Sequence, residues 1–213
     1  AGIGLFGKEQ PFVMLPNGID LDRYCNVPVT KAEMHAQLGI PEDAFVIGHI
    51  GRFEEQKNHR LLLKIVQHIL KKHPNTYLLS VGAGSLEAEI HGLANDLGIS
   101  DHVLFLGERE DIAELLKAMD VFLLPSLYEG LPIVAVEAQA ANVKLVMSTE
   151  VSEDTVLSEN VRFVPLDADL DRWEAEVMGE PKENRPKPEM EAFDMLKTAK
   201  ALEKIYDAKE VTA

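Results

Sequence analysis

A single cysteine, Cys25, rules out an internal disulfide and a thiolate metal cluster, and it suits a reducing compartment. No apolar run approaches the ~18–20 residues a membrane-spanning helix requires. Positive charge is scarce. Lys and Arg total 21 against 36 Asp and Glu, a net charge of −15, so no basic surface exists to follow a polyphosphate and nucleic acid is excluded as a partner. There is no Gly-x-Ser-x-Gly elbow, no Walker loop and no His-Glu-x-x-His, which removes the enzyme classes built on them. The seven histidines show no metal-ligand spacing, so no metal is expected, and His68 and His73 read as a pair on a helix surface. The opening residues, Ala1 to Lys8, have neither the charged start nor the apolar stretch of a secretion signal. Without an initial methionine, the chain reads as a fragment entered mid-protein.

What is present is a chain of 213 residues, 46% hydrophobic, enough for a full core. Apolar runs of four to six residues alternate with longer stretches of helical period, the pattern of an α/β fold whose parallel sheet carries helices on both faces. Strands are expected at 12–15, 45–50, 77–81, 103–106, 121–124, 144–147 and 161–164. A helix over 58–73 has Asn58 as its cap and an apolar face of Leu61, Leu62, Ile65, Val66 and Ile69. Another over 85–97 starts at Ser85 and stops at Gly98, and Asp111-x-x-Glu114 forms a capping box for a short third one. A proline-rich break over 180–188 precedes a terminal helix over 190–208. Acidity is denser towards the end: residues 150–213 hold 17 acids and 9 bases.

The most informative stretch is Ser126-Leu127-Tyr128-Glu129-Gly130-Leu131-Pro132-Ile133-Val134-Ala135-Val136-Glu137. A strand feeds a tight loop, and Gly130-Leu131-Pro132 opens a helix, because proline suits the first turn and has no N–H to waste there. Free backbone N–H groups and the positive end of the helix dipole then face the loop, a seat for phosphate. Glu129 precedes the helix, and Glu137 lies about 7–8 Å further along its axis. One carboxylate beside an anion seat and one set back from it suit the two ends of a sugar nucleotide. A solvated pair of glutamates on an amphipathic helix fits the same spacing.

Other segments add to this one. Gly51-Arg52-Phe53-Glu54-Glu55-Gln56-Lys57-Asn58 follows the 45–50 strand, Val81-Gly82-Ala83-Gly84 follows the next, and Phe105-Leu106-Gly107 closes the third. Arg52 and Lys57 thus occupy a loop of the kind that binds ligands in open α/β sheets, offering a planar fork of donors and a mobile point charge to phosphate. In this order, beginning at Pro16-Asn17-Gly18-Ile19-Asp20, the chain resembles the nucleotide-sugar-binding half of family 4 glycosyltransferases, retaining enzymes of the two-domain GT-B fold. Leu166-Asp167-x-x-Leu170-x-x-Trp173 is similar to bacterial capsule and exopolysaccharide transferases.

The resemblance implies a Rossmann-like domain, the C-terminal half of a GT-B enzyme. It implies that Arg52 and Lys57 grip the donor pyrophosphate and stabilise the departing nucleotide. Glu129 would contact hydroxyls of the transferred sugar, Glu137 would accept the ribose hydroxyls, and backbone N–H groups of Gly130 and Leu131 would hold the distal phosphate. Gly82 and Gly84 would let backbone approach the nucleotide, although Glu87 stands where a dinucleotide fingerprint has its third glycine, and a plain strand-to-helix turn accounts for them equally. The turn Gly107-Glu108-Arg109-Glu110 sits where the base is usually placed; it can read a uracil edge or be a surface loop.

By the same resemblance, residues 1–20 connect domains, 21–180 form the donor-binding domain and 181–213 are a linker and C-terminal helix, with the N-terminal acceptor domain absent. The implied activity moves a hexose, with retention, from a nucleotide diphosphate donor, UDP-linked by expectation, to a glycan or lipid-linked acceptor in cell-surface polysaccharide synthesis. No cofactor or metal is implied, the fragment alone is expected to be inactive, and the full-length protein is expected in the cytoplasm, at the inner face of the membrane. A nucleotide-sugar epimerase on the same scaffold and a non-catalytic nucleotide-binding module are the alternatives. One departure stands out: where many members have Ala-Gly-x-Pro after the second glutamate, this chain has Ala141-Asn142-Val143-Lys144. Asparagine tolerates the left-handed conformation that glycine supplies.

Overall fold

The computed structural model describes residues 15–182 and 186–210. Six strands, β1 (Phe45–Ile50), β2 (Thr76–Val81), β3 (Val103–Phe105), β4 (Val121–Leu124), β5 (Lys144–Ser148) and β6 (Val161–Val164), form one sheet in the order β3-β2-β1-β4-β5-β6. Every pairing is parallel. This is the order of a doubly wound sheet, which reverses direction between β1 and β4 and leaves a crevice at the carboxyl ends of those two strands. The expected ranges match these strands to within a residue or two; the one expected at 12–15 lies outside the described residues apart from Leu15, which is not in a strand.

Alternation along each strand divides the core in two. Val46, Leu79, Val81, Phe122, Leu124, Leu145 and Met147 face one layer. Helices α1 (Leu21–Cys25), α2 (Lys31–Leu38), α5 (Ile112–Lys117) and α6 (Ile133–Ala140) cover it through Tyr24, Met34, Leu115, Leu116, Ala135 and Val136. Ile47, Leu78, Val121, Leu123, Val146 and Val164 face the other. There α3 (His59–Leu70), α4 (Glu87–Asp96) and α7 (Leu170–Met178) supply Leu62, Ile65, Ile69, Ile90 and Trp173. Both faces are therefore dry, as parallel sheets require.

Helix ends depart from expectation in instructive ways. Asn58 precedes α3 with φ 54°, and its side chain does not cap the helix; its Nδ2 donates to the Pro125 carbonyl oxygen at 3.1 Å. Ser85 lies ahead of α4 without capping it, because its N–H and hydroxyl both donate to Glu54. Asp111 does not form the expected box, since its carboxylate is held by Arg109 at 2.7 and 2.5 Å. The box that does form is Thr30 with Glu33, at the start of α2. Pro132 is the cap of α6, so the helix starts one residue later, at Ile133. Asn142 adopts φ 63°, filling the glycine-like turn as expected. Lys144 is buried at the start of β5, where its ammonium donates to the carbonyl oxygens of Val177 and Gly179 at the end of α7.

The terminal helix α8 (Met195–Glu210) starts later than expected, after a 3-10 turn over Pro188–Phe193. Met190 and Phe193 of that turn are buried beside α6. The Ile19 N–H donates to the Phe193 carbonyl oxygen at 2.7 Å and the Met195 N–H to that of Ile19 at 2.9 Å. Among the described residues, no helix is long and apolar enough to cross a membrane.

Candidate functional site

The loops after β1 and β4 meet at the reversal point of the sheet and are laced together. The Leu127 N–H donates to the Gln56 carbonyl oxygen at 2.8 Å, Gln56 Nε2 to that of Tyr128 at 2.9 Å, and Asn58 Nδ2 to that of Pro125. The β5 loop supports the second of them from behind. Glu129 N–H donates to the Glu150 carbonyl oxygen, Ser152 N–H to that of Glu129, both at 3.1 Å, and the Ser148 hydroxyl to that of Ser126.

Inside this frame Lys57 Nζ lies 2.5 Å from Glu129 Oε1, with only 15% and 10% of the two side chains exposed. The Ser126 hydroxyl donates to the same oxygen at 3.2 Å. Arg52, two residues beyond the end of β1, is exposed; its carbonyl oxygen accepts from the Glu54 N–H at 2.8 Å, its charge helps hold the Glu54 carboxyl down, and its guanidinium makes no hydrogen bond or ion pair among the described residues. The acids beside it are spoken for: Glu54 holds Ser85, which keeps its carboxyl below the usual range, and Glu55 takes both Nη1 contacts of Arg60 at 2.6 and 2.8 Å. The backbone N–H groups of Gly130 and Leu131 have no acceptor among the described residues, and they lead into the N-terminus of α6. An exposed arginine, a lysine paired with Glu129 and N–H groups without an acceptor, on the two loops of one crevice, can bind an anion of several oxygens.

Glu137, half-buried on α6, accepts a hydrogen bond from the Tyr24 hydroxyl at 2.6 Å on Oε1. Burial raises its carboxyl above the usual range, opposed by the Tyr24 hydrogen bond and by Arg23. The Tyr24 phenol is itself pushed up by burial and by Glu137. Arg23 Nη2 donates to the Glu110 carbonyl oxygen at 2.6 Å, tying α1 to the turn that carries Arg109. Arg109 is engaged with Asp111.

Gly82 and Gly84 stand against protein rather than open space. A Cβ at Gly82, whose φ is +130°, would meet the Gly51 carbonyl oxygen at 2.3 Å, and one at Gly84 would meet the Phe53 backbone at 2.6–2.8 Å. They bring the β2 loop into backbone contact with the β1 loop, and Phe53 N–H donates to the Ala83 carbonyl oxygen at 3.0 Å.

Sequence reasoning missed three groups here. Tyr24 and Ser126 had no signal beyond their position beside recognised motifs. The third is a layer of rings under Lys57: Phe53 stacks on His59 at 4.2 Å between centroids, and His59 meets His49 edge-on at 4.7 Å. Burial pushes His59 down to about 4 and His49 well below its usual value. A histidine inside the apolar run of β1 was the available hint. His68 and His73, expected as a surface pair, instead reach across to α7, where His68 Nε2 approaches Asp171 and Glu174 at 2.9 and 3.0 Å. His68, Asp171 and Glu174 converge within 4.8 Å, but the ammonium of Lys72 already lies 2.8 Å from Glu174, so the cluster reads as an ion-pair bolt between α3 and α7.

The chain matches the family described as glycosyl transferases group 1 over residues 30–165 and belongs to it. EpsF of Bacillus subtilis, which carries a glycosyltransferase designation, is 41% identical over 157 residues, covering 72% of this chain and 41% of that protein. The matched part thus covers about two fifths of that curated relative. HepE of Anabaena, solved in complex with UDP and glucose, superposes with a TM-score of 0.72 at 21% identity, over 91% of this chain and 56% of that one. The C-terminal domain of a group 1 glycosyl transferase, LpcC of Francisella tularensis, does so with a TM-score of 0.62 at 19% identity, covering 76% and 86% of the two chains. The fold is α/β and Rossmann-like, the fold of the GT-B glycosyltransferases it superposes on.

Proposed function

We propose that this chain is the donor-binding half of a retaining hexosyltransferase that uses a nucleotide diphosphate sugar. The observation that carries the reading is the Lys57–Glu129 pair beside the Gly130–Leu131 N–H groups, with Arg52 on the same loop as Lys57, at the reversal of strand order between β1 and β4. Arg52, Lys57 and those N–H groups take the pyrophosphate and neutralise the charge that grows on the leaving nucleotide, work that requires no metal. Glu129 accepts hydroxyls of the transferred hexose, and Glu137 accepts those of the ribose. Arg109 and its turn face the base, while Gly82 and Gly84 bring backbone to its rim. HepE was solved with UDP, which supports a UDP-linked donor. The Leu166-to-Trp173 pattern supports a role in bacterial surface polysaccharide synthesis at the inner face of the membrane, with a glycan or lipid-linked acceptor held by a second domain.

Titration calorimetry with UDP tests the reading. Glu137→Gln should weaken binding by about 1.5–3 kcal/mol, the range for hydrogen bonds to charged groups, while Glu150→Gln, whose backbone alone supports the site, leaves it unchanged. Equal effects would remove Glu137 from the ribose. The chain alone should bind UDP with chelator present and transfer nothing in an acceptor screen, because half a cleft positions one reactant. Transfer by this chain would place the acceptor site within it.

A further inference from the structure

We infer that Tyr24 is a positioning residue for nucleotide recognition: its hydroxyl fixes one oxygen of Glu137 and turns the other towards the ribose. The inference rests on the reading of Glu137 as the ribose acceptor. A glutamate has three rotatable side-chain bonds, and a carboxylate free to turn accepts a ribose hydroxyl in many geometries and holds it well in few. Here Oε1 accepts from Tyr24 at 2.6 Å, and no other described residue hydrogen-bonds the carboxylate. Tyr24 is 8% exposed, so its ring cannot swing away without opening the core. It sits on α1, held at one end by Asp20, which accepts from the Arg23 N–H at 3.2 Å, and at the other by the Cys25 thiol against the Ala140 carbonyl oxygen of α6. Arg23 clamps the Glu110 carbonyl oxygen. One five-residue helix therefore sets both the carboxylate on α6 and the turn beyond β3.

The chemistry makes Tyr24 a permanent donor. Its phenol lies beside Glu137, with Glu114 of α5 and Arg23 of its own helix as the other charged groups facing it, and it stays protonated across the working range. It therefore donates to Oε1 at every useful pH, and Oε2 remains an acceptor as long as Glu137 is ionised. The same hydrogen bond and Arg23 are what oppose the rise that burial imposes on Glu137.

The test compares UDP with 2′,3′-dideoxyuridine diphosphate, titrated into wild type, Tyr24→Phe and Glu137→Gln across pH 4.5–8. Tyr24→Phe keeps the ring and should keep the thermal midpoint within a few degrees. It should lower the preference for UDP over the dideoxy nucleotide several-fold, and the pH at which UDP affinity halves should move upwards, because the group that helps ionise Glu137 is gone. Replacing Tyr24 by 3,5-difluorotyrosine, a stronger donor of nearly the same shape, should move that pH downwards and guards against a misfolded Tyr24→Phe. If Glu137→Gln loses the preference while both Tyr24 variants match wild type in preference and pH profile, the inference falls and the ribose assignment stands. If Glu137→Gln keeps the preference, or wild type does not bind UDP, the ribose assignment falls and takes the inference with it.

Discussion

Lys57 and Glu129 form an ion pair of 2.5 Å between side chains that are each more than four-fifths buried, joining the loop after β1 to the loop after β4. On the proposed reading, a donor phosphate meets a lysine whose charge is already matched, and must compete with a carboxylate for it. Removing that competitor has a consequence of unusual sign. Glu129→Gln should bind UDP more tightly than wild type, by about 1 kcal/mol or more, since the liberated ammonium forms a charge-assisted bond without a rival. The same variant should gain less from adding the hexose, so the affinity ratio of UDP-hexose to UDP should fall. Calorimetry with both ligands reads both numbers, and an unchanged or weakened UDP affinity contradicts the competition.

Arg52 and Lys57 should tell diphosphate from nucleoside. Alanine at either position should weaken UDP binding roughly ten-fold, in line with ~1.5 kcal/mol for a bond between charged groups, and leave the weak binding of uridine unaltered. Arg52 should show the cleaner effect, because Lys57→Ala also strands Glu129. An intact UDP-to-uridine ratio in the double variant would put the pyrophosphate elsewhere.

Acid sensitivity should originate beneath the site. His59 is buried and pushed down to about 4, so the folded chain binds fewer protons than the unfolded one between that value and the ordinary 6.5. The contribution is fully present above about 6.5 and is lost as pH falls towards 4, with a span of about 3 kcal/mol. Thermal midpoints measured from pH 7.5 to 4.5 should fall steadily, and His59→Leu should flatten the decline while His49 retains a share. Parallel profiles would mean that His59 is as free to protonate as an exposed imidazole.

Gly84 and Gly92 should respond oppositely to alanine. At Gly84 the new carbon meets the Phe53 backbone at 2.6–2.8 Å, an overlap that backbone cannot relieve cheaply, and about 1–3 kcal/mol should be lost. Gly92 lies inside α4 with nothing within 4 Å of the added carbon, and about 0.5–1 kcal/mol should be gained. Denaturant midpoints compare them directly. Equal shifts would contradict the backbone contact between the β2 and β1 loops at Gly84.

The sheet was legible because each strand carries a short apolar run between turn residues, and the parallel order follows from helices interposed between them. The placement of Arg52, Lys57 and Glu129 on the loops after β1 and β4 was legible from the apolar runs they follow, at the carboxyl ends where such sheets bind. Caps were misread for one reason: a capping side chain is a polar group that any nearby partner can take. Glu54 took Ser85, Arg109 took Asp111, and the Pro125 carbonyl took Asn58, all through contacts that sequence spacing does not display. Thr30-x-x-Glu33 has the same form as Asp111-x-x-Glu114, and it succeeded where no such rival stood near. Tyr24 was invisible because its partner lies 113 residues away. The contact of His68 with α7 was equally so, at 103 residues to Asp171.

The lacing of the two crevice loops by Gln56, Asn58 and Leu127 means that their shape is settled when the chain folds, not when a nucleotide arrives. The disorder such loops would otherwise surrender on association has already been given up, so little of the attraction between phosphate and loop is spent on arranging the receiver. On the proposed reading, affinity for the nucleotide and cohesion of the two loops thereby become two readings of one set of bonds. Loosening Gln56, which touches no charge, would be felt first as faster departure of the ligand.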